Sequence, residues 1–119
     1  MLCINNIHTN AYFNLASEEY LLKNFSEDVF MLWQNEPSVI VGKYQNVLAE
    51  INLGYTKEKG LKIARRFSGG GTVFHDSGNL NLTFIENNKN INFDRFTERI
   101  IGLLSNLGIH AEADARRAI

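Results

Sequence analysis

Three β-rich runs follow one another between residues 62 and 85 with almost nothing between them: 62-KIARR-66, 71-GTVFH-75 and 79-NLNLTFI-85. Only 67-FSGG-70 and 76-DSG-78 separate them. A crossover between parallel neighbours needs about a dozen residues, so spacing this tight leaves room for turns and little else. Upstream, 29-VFMLWQ-34 and 38-SVIVGK-43 flank 35-NEP-37 and read as a further hairpin. Within 79–85, Leu80, Leu82 and Phe84 alternate with Asn79, Asn81 and Thr83, the period of a strand with one apolar face.

Helical patterns interrupt these runs. After a first strand, 2-LCINNI-7, Thr9 and Asn10 can cap a helix reaching Asn24. Tyr12, Leu15, Ala16 and Leu22 share an apolar arc on it with Glu19 in the middle, which predicts a largely buried helix in which Glu19 reaches a polar partner or the rim of the core rather than serving as a catalytic carboxylate. Asn52 can cap a short helix that Gly60 ends, and Asp94 a longer one. In the longer helix Phe96, Ile100, Leu103, Leu104 and Leu107 share a stripe and Gly108 follows, with one more short strand predicted over 109–113. The expected class is α+β: a mainly antiparallel sheet with packed helices, in one domain over 1–119. With one proline and no Ser/Pro-rich linker, the pattern offers no internal boundary.

Twelve Lys and Arg balance thirteen Asp and Glu for a formal charge of −1, which argues against nucleic acid or an anionic membrane as the main partner. Arg65-Arg66 and Arg116-Arg117 are only pairs, and such pairs usually lie on a solvated face. A single cysteine, Cys3, excludes an internal disulfide and fits the cytoplasm; beside Leu2 and Ile4 it reads as a packed strand residue. His8, His75 and His110 share no metal-ligand spacing.

The chemistry concentrates in 65-RRFSGGGTVFHDSGNLN-81. Three consecutive glycines cost backbone entropy and pack no side chain, so they suit a sharp bend or a close approach. A tight connection alone would explain them. Alternatively, their successive N–H groups form a concave donor surface for phosphate or carboxylate, beside the planar, permanently charged fork of Arg66. The run is neither a Walker A loop nor a dinucleotide fingerprint. A triad of Ser68, His75 and Asp76 is disfavoured, because adjacent strand residues point to opposite faces; Asp76 fits a turn and Ser68 a donor to the loop or a ligand.

Together with 10-NAYFNLASEEYLLKN-24 and 32-LWQNEPSVIVGKYQN-46, this stretch resembles lipoate-protein ligases, of the biotin/lipoate ligase superfamily, nearly to Ala113. The resemblance implies the N-terminal part of a biotin/lipoate ligase-like catalytic domain. It implies an enzyme that uses ATP with Mg2+ to convert lipoate into lipoyl-AMP, then passes the lipoyl group to a lysine. The acceptors would be lipoyl domains of 2-oxoacid dehydrogenase acyltransferase subunits and the glycine-cleavage H protein. Arg66 would bind the acyl carbonyl or phosphate, with Gly69, Gly70 and Gly71 letting the adenylate lie against the backbone. Ser68 and His75 would line the pocket, Asn79 would orient the ligand, and Trp33 would wall the acyl chain or simply fill the core. Lys43 and Asn46 sit beside the site in the motif, while Arg65 faces away from Arg66. Family members continue with a Gly-Arg-Asn-Asp-type turn and strands bearing an essential lysine. The ending 111-AEADARRAI-119 matches neither, so no catalytic residue is expected in this chain, and three explanations stay open: a truncated reading frame, a split protein completed by a second chain, or a piece of a longer chain. Missing strands would leave a sheet edge unpaired. Two alternatives stay open: a non-catalytic remnant, and an octanoyl or lipoyl transferase, which would need a cysteine beyond the glycines.

Overall fold

The computed structural model describes residues 1–114, in two compact units, Met1–Asn87 and Asn88–Ile119. The pair Arg116-Arg117 and the last five residues of the 111–119 ending lie outside the described residues.

The first unit contains β1 (Leu2–Asn5), α1 (Ala11–Asn24), β2 (Val29–Trp33), β3 (Ser38–Val41), α2 (Val47–Glu50), α3 (Leu53–Glu58), β4 (Lys62–Arg65), β5 (Val73–His75) and β6 (Asn81–Ile85). The strands form two three-stranded sheets, ordered β1-β2-β6 and β4-β3-β5. The class is α+β, but pairing is evenly mixed rather than mainly antiparallel. In each sheet the central strand has one parallel neighbour, β1 beside β2 and β4 beside β3, and one antiparallel neighbour, β6 or β5.

Neither predicted hairpin exists. β2 and β3 lie in different sheets, and so do β5 and β6. The short segments 34–37 and 76–80 therefore carry the chain across from one sheet to the other. Local bonding shows why they do not fold back. Asn35 is fully buried, and the Glu36 N–H donates to Thr9 O at 2.8 Å instead of closing a turn on β2. At the second crossing the Asp76 carboxylate accepts from the Gly78 N–H at 2.8 Å, making the expected Asx turn. His75 is nonetheless registered opposite Ser38 and Asn81 opposite Trp33. The two crossings touch, since Gln34 Nε2 donates to Ser77 O at 2.9 Å.

The core is built from Leu15, Leu21, Val29, Met31, Trp33, Ile40, Ala64 and Ile85. On α1 the Asn10 side chain accepts from the Tyr12 and Phe13 N–H groups, as the cap pattern predicts. The buried face of that helix is a different one from the predicted arc, however. Ala11, Asn14, Leu15 and Leu21 are buried, whereas Tyr12, Phe13 and Leu22 are about half exposed. Glu19 pairs with Lys23 one turn on. β6 also reverses its expected face: Thr83 and Ile85 are buried and Leu80 is exposed. Cys3 is exposed rather than packed. α3 starts at its Asn52 cap and Gly60 follows at φ 62°, in the left-handed region glycine tolerates.

In the second unit α4 spans Phe93–Asn106. Its cap is Asn92, not Asp94: the Asn92 side chain accepts from the Asp94 and Arg95 N–H groups, and Asp94 falls in the first turn, where an acid favours the helix dipole. Gly108 ends it at φ 77°, with the Ile109 N–H donating to Leu104 O at 2.9 Å. No strand forms over 109–113. No helix among the described residues is long and apolar enough to cross a membrane.

Candidate functional site

A cavity of about 200 Å3 opens where the two sheets part, next to the crossings. Trp33, Asn81, Leu82 and Thr83 come to it from one sheet and its crossing, Ile40 and His75 from the other. Arg66 and Ser68, just past β4, and Leu15 and Glu18 from α1 complete the lining. The crossing topology, read from sequence as two hairpins, is thus what opens the space and gathers these groups around it.

Of the residues singled out in the sequence, Arg66, Ser68, His75 and Trp33 meet here. Trp33 is both core and wall: it is 5% exposed, and its Nε1–H donates to Thr83 Oγ1 at 2.9 Å. The Thr83 hydroxyl donates in turn to Glu18 Oε1 at 2.6 Å, fixing that carboxylate at the cavity. His75 sits edge-on to the Trp33 ring with 6.1 Å between centroids. Its imidazole pKa is lowered from the ordinary value, first by burial, which disfavours the charged ring, and then by the positive Arg66.

The glycine bend holds Arg66 rather than pointing donors at it. Arg66 Nε and Nη2 donate to Gly69 O at 3.1 and 2.9 Å, and Nη2 to Gly71 O at 2.7 Å. Gly70 turns the chain at φ 94°. Among the described residues the N–H groups of Gly69, Gly70 and Gly71 have no protein acceptor, and all three glycines are exposed. None of the three lines the cavity itself. The bend needs Gly42 beneath it: a Cβ there would stand 2.0 Å from Gly70 O.

The remaining candidates have structural contacts. Asn79 lies outside the cavity, and its Nδ2 donates to Asn81 Oδ1 at 3.4 Å. Arg65 clamps the 42–45 loop, donating from Nη1 to the carbonyls of Gly42, Lys43 and Gln45 at 2.9, 3.2 and 2.6 Å. Asn46 caps α2 through the Leu48 N–H. The Lys43 ammonium lies 4.4 Å from the centre of the Phe67 ring. Asp76 belongs to its turn, and His75 Nδ1 faces Asn35, so Ser68, His75 and Asp76 form no triad.

Glu18, Asn81 and Thr83 are cavity residues that motif reasoning passed over. Among the described residues Asn81 Nδ2 is buried and has no hydrogen-bond partner. A buried donor without an acceptor costs about 1–3 kcal/mol, so this amide is set up for an acceptor oxygen from a ligand. The period-two pattern of β6 contained the signal, because Asn81 and Thr83 share its polar face.

The cleft between the two small mixed sheets brings together the Arg66 cation, the Glu18 carboxylate, the polar groups of Ser68, His75, Asn81 and Thr83, and the Trp33 ring. Residues 10–119 match the lipoyl protein ligase A/B catalytic domain, and the chain belongs to that family. It is 46% identical over 120 residues to lipoate–protein ligase 1 of Staphylococcus aureus, covering 97% of this chain and 37% of that protein. It is 44% identical over 91 residues to the human mitochondrial lipoyl amidotransferase, covering 74% of this chain and 24% of that one. Among solved structures, Plasmodium falciparum LipL1 in complex with lipoate superposes with a TM-score of 0.88 at 38% identity, covering 97% of this chain and 39% of that chain. A lipoate-protein ligase A bound with ATP gives 0.85 at 28% identity, covering 95% and 50%. The bipartite lipoate protein ligase of Thermoplasma acidophilum, solved in a study with its E2 lipoyl domain, gives 0.87 at 27%, covering 96% and 48%. The chain thus spans under two-fifths of the S. aureus relative.

Proposed function

We propose that this chain provides the acyl-binding part of an ATP-dependent lipoate-protein ligase. The observation that carries the proposal is the cavity itself: Arg66, Ser68, His75 and the unpartnered Asn81 amide converge on a space walled by Trp33, Leu15 and Ile40. Relatives solved with lipoate and with ATP support it. In the first step a lipoate carboxylate oxygen attacks the α-phosphorus of ATP, the new C–O–P linkage forms and pyrophosphate leaves. In the second step a lysine amine attacks the acyl carbonyl and AMP leaves. Both steps need a fixed cation and neutral donors where negative charge builds on oxygen. Arg66 supplies the charge, and Asn81 and Ser68 supply donors.

Size supports a division of the adenylate between the cavity and its rim. About 200 Å3 is below the roughly 300–1,000 Å3 of pockets for drug-sized ligands. It takes an acyl chain and its carboxylate, while the nucleotide lies outside, over the exposed N–H groups of Gly69–Gly71. Mg2+ would enter with ATP as part of the substrate; no group of three His, Cys, Asp or Glu able to hold a metal occurs among the described residues, so no step is assigned to a resident ion. Acceptors would be the lipoyl domains of 2-oxoacid dehydrogenase acyltransferase subunits and the glycine-cleavage H protein, and the cytoplasm the site of action.

The human relative favours a second reading, lipoyl transfer from an acylated donor. Lipoate-dependent ATP–pyrophosphate exchange separates the two. The chain is assayed alone and with the complementary C-terminal part of the S. aureus relative. Exchange in either case supports a ligase. ATP-independent transfer from a lipoylated donor protein, without exchange, supports the transferase. Neither activity would leave a binding remnant.

A further inference from the structure

A run of buried amides leads from the start of α1 to the ring of His75. Asn14 and Asn35 are both fully buried. Asn14 Nδ2 donates to two backbone carbonyls, His8 O and Gln34 O, each at 2.9 Å. Carbonyl oxygens only accept, so the orientation of the Asn14 amide is not free. The same Nδ2 lies 2.9 Å from Asn35 Oδ1, and Asn14 Oδ1 accepts from Asn6 Nδ2 at 2.9 Å. With its oxygen turned to Asn14, Asn35 presents Nδ2 to His75 Nδ1 at 3.1 Å. An amide NH2 only donates. His75 Nδ1 must therefore be the bare, accepting nitrogen, and in the neutral ring the proton sits on Nε2.

We infer that Asn14 and Asn35 are positioning residues that hold His75 as the neutral Nε2–H tautomer, a fixed donor to an acyl or phosphate oxygen in the cavity. His75 is thereby a donor and not a base, since its only basic lone pair is already bonded to Asn35. Charge around the ring agrees. Arg66 and Glu18 both line the same cavity, and Arg66 opposes a second proton. Burial does so too. A neutral N–H needs no counter-charge in a small cavity, and it polarises a carbonyl without neutralising the Glu18 carboxylate. What the donor meets rests on the ligase-type reading of the cavity; the tautomer does not.

The test is 15N NMR of the full chain with [15N]histidine, with and without a non-hydrolysable lipoyl-adenylate analogue. At neutral pH His75 should show a protonated Nε2 and a bare Nδ1, and the Nε2 resonance should move when the analogue binds. Asn35→Asp keeps the acceptor for Asn14 but gives His75 Nδ1 a carboxylate. Its ring should titrate at higher pH than in the natural chain. At pH 8.5 its proton should sit on Nδ1, and affinity for the analogue should fall about tenfold. Acidification to pH 6 restores Nε2–H by charging the ring, so affinity should recover in the variant alone. Damage to packing would not be reversed by acid. A natural chain with Nδ1–H overturns the inference, and so does an Nε2 resonance unmoved by bound analogue. If Asn35→Asp does not fold, those two measurements on the natural chain still decide. Analogue binding with the expected tautomer but no pyrophosphate exchange would sink the ligase proposal and leave this one standing.

Discussion

The guanidinium of Arg66 is held through Nε and Nη2 by Gly69 O and Gly71 O, and among the described residues Nη1 has no hydrogen-bond partner. Two carbonyls set the plane of the fork without cancelling its charge. Lysine cannot reproduce this, because a point charge on a flexible stem makes no planar two-site contact. Arg66→Lys should therefore weaken lipoate or adenylate-analogue binding by about 10- to 100-fold, with a thermal midpoint close to that of the natural chain. Calorimetric titration checks it, and unchanged affinity would remove Arg66 from the site. His75 predicts a pH effect of definite sign. Its folded-state pKa lies below the ordinary 6.5, so the unfolded chain binds the proton more readily. The stability this contributes is present in full above about pH 6.5 and is lost as pH falls through the lower folded value. Urea midpoints between pH 5 and 8 should drop toward acid more steeply in the natural chain than in His75→Gln; parallel curves would contradict the shift. Arg66, Ser68 and His75, which meet at the cavity, stood out because their types announce chemistry beside a glycine run, whereas Trp33 entered only through the family resemblance. Glu18 was not, since its role depends on which face of α1 is buried, and that face also contains Asn14, a residue no apolar pattern would select.

At the scale of elements, helix ends were readable and strand partners were not. Asn10, Asn52, Gly60 and Gly108 act within their own turns, so local sequence contains their physics. Pairing depends on which sheet a strand joins, and the four- and five-residue crossings look like hairpin turns until Asn35 is seen to be anchored in the interior. The cap of α4 falls two residues before the expected one because Asn92 and Asp94 are both good caps. Packing between elements also dictates Gly42, at the end of β3. A methyl there meets Gly70 O at 2.0 Å, a backbone atom that yields only if the bend moves. Gly42→Ala should cost about 1–3 kcal/mol, displace residues 68–71 and abolish ligand binding together with it. Gly102 is the control: inside α4, nothing lies within 4 Å of where an added methyl would stand, so Gly102→Ala should stabilise by about 0.5–1 kcal/mol. Chemical denaturation of both variants tests the pair, and a harmless Gly42→Ala would show that the bend is not supported from below.

At the scale of the whole molecule, everything that lines the cavity falls within Met1–Asn87. So do the amide run to His75, the Arg65 clamp and the core cluster. The polar stretch 86-ENNKNIN-92 straddles the division between the units. If the acyl site belongs to the first unit, a chain ending at Asn87 should keep both sheets and bind lipoate within about threefold of the longer chain, since only losses above roughly 0.7 kcal/mol exceed that ratio. Circular dichroism and calorimetry on the two lengths check it. Loss of binding with sheet content intact would mean that residues after Asn87 contribute to the site. Loss of both would mean that the first unit needs them to fold. Retained binding has a further consequence for the two-step scheme. Capture of the acyl group would then be separable from adenylation, and the capturing part would lie within the 37–39% of the longer relatives that this chain spans.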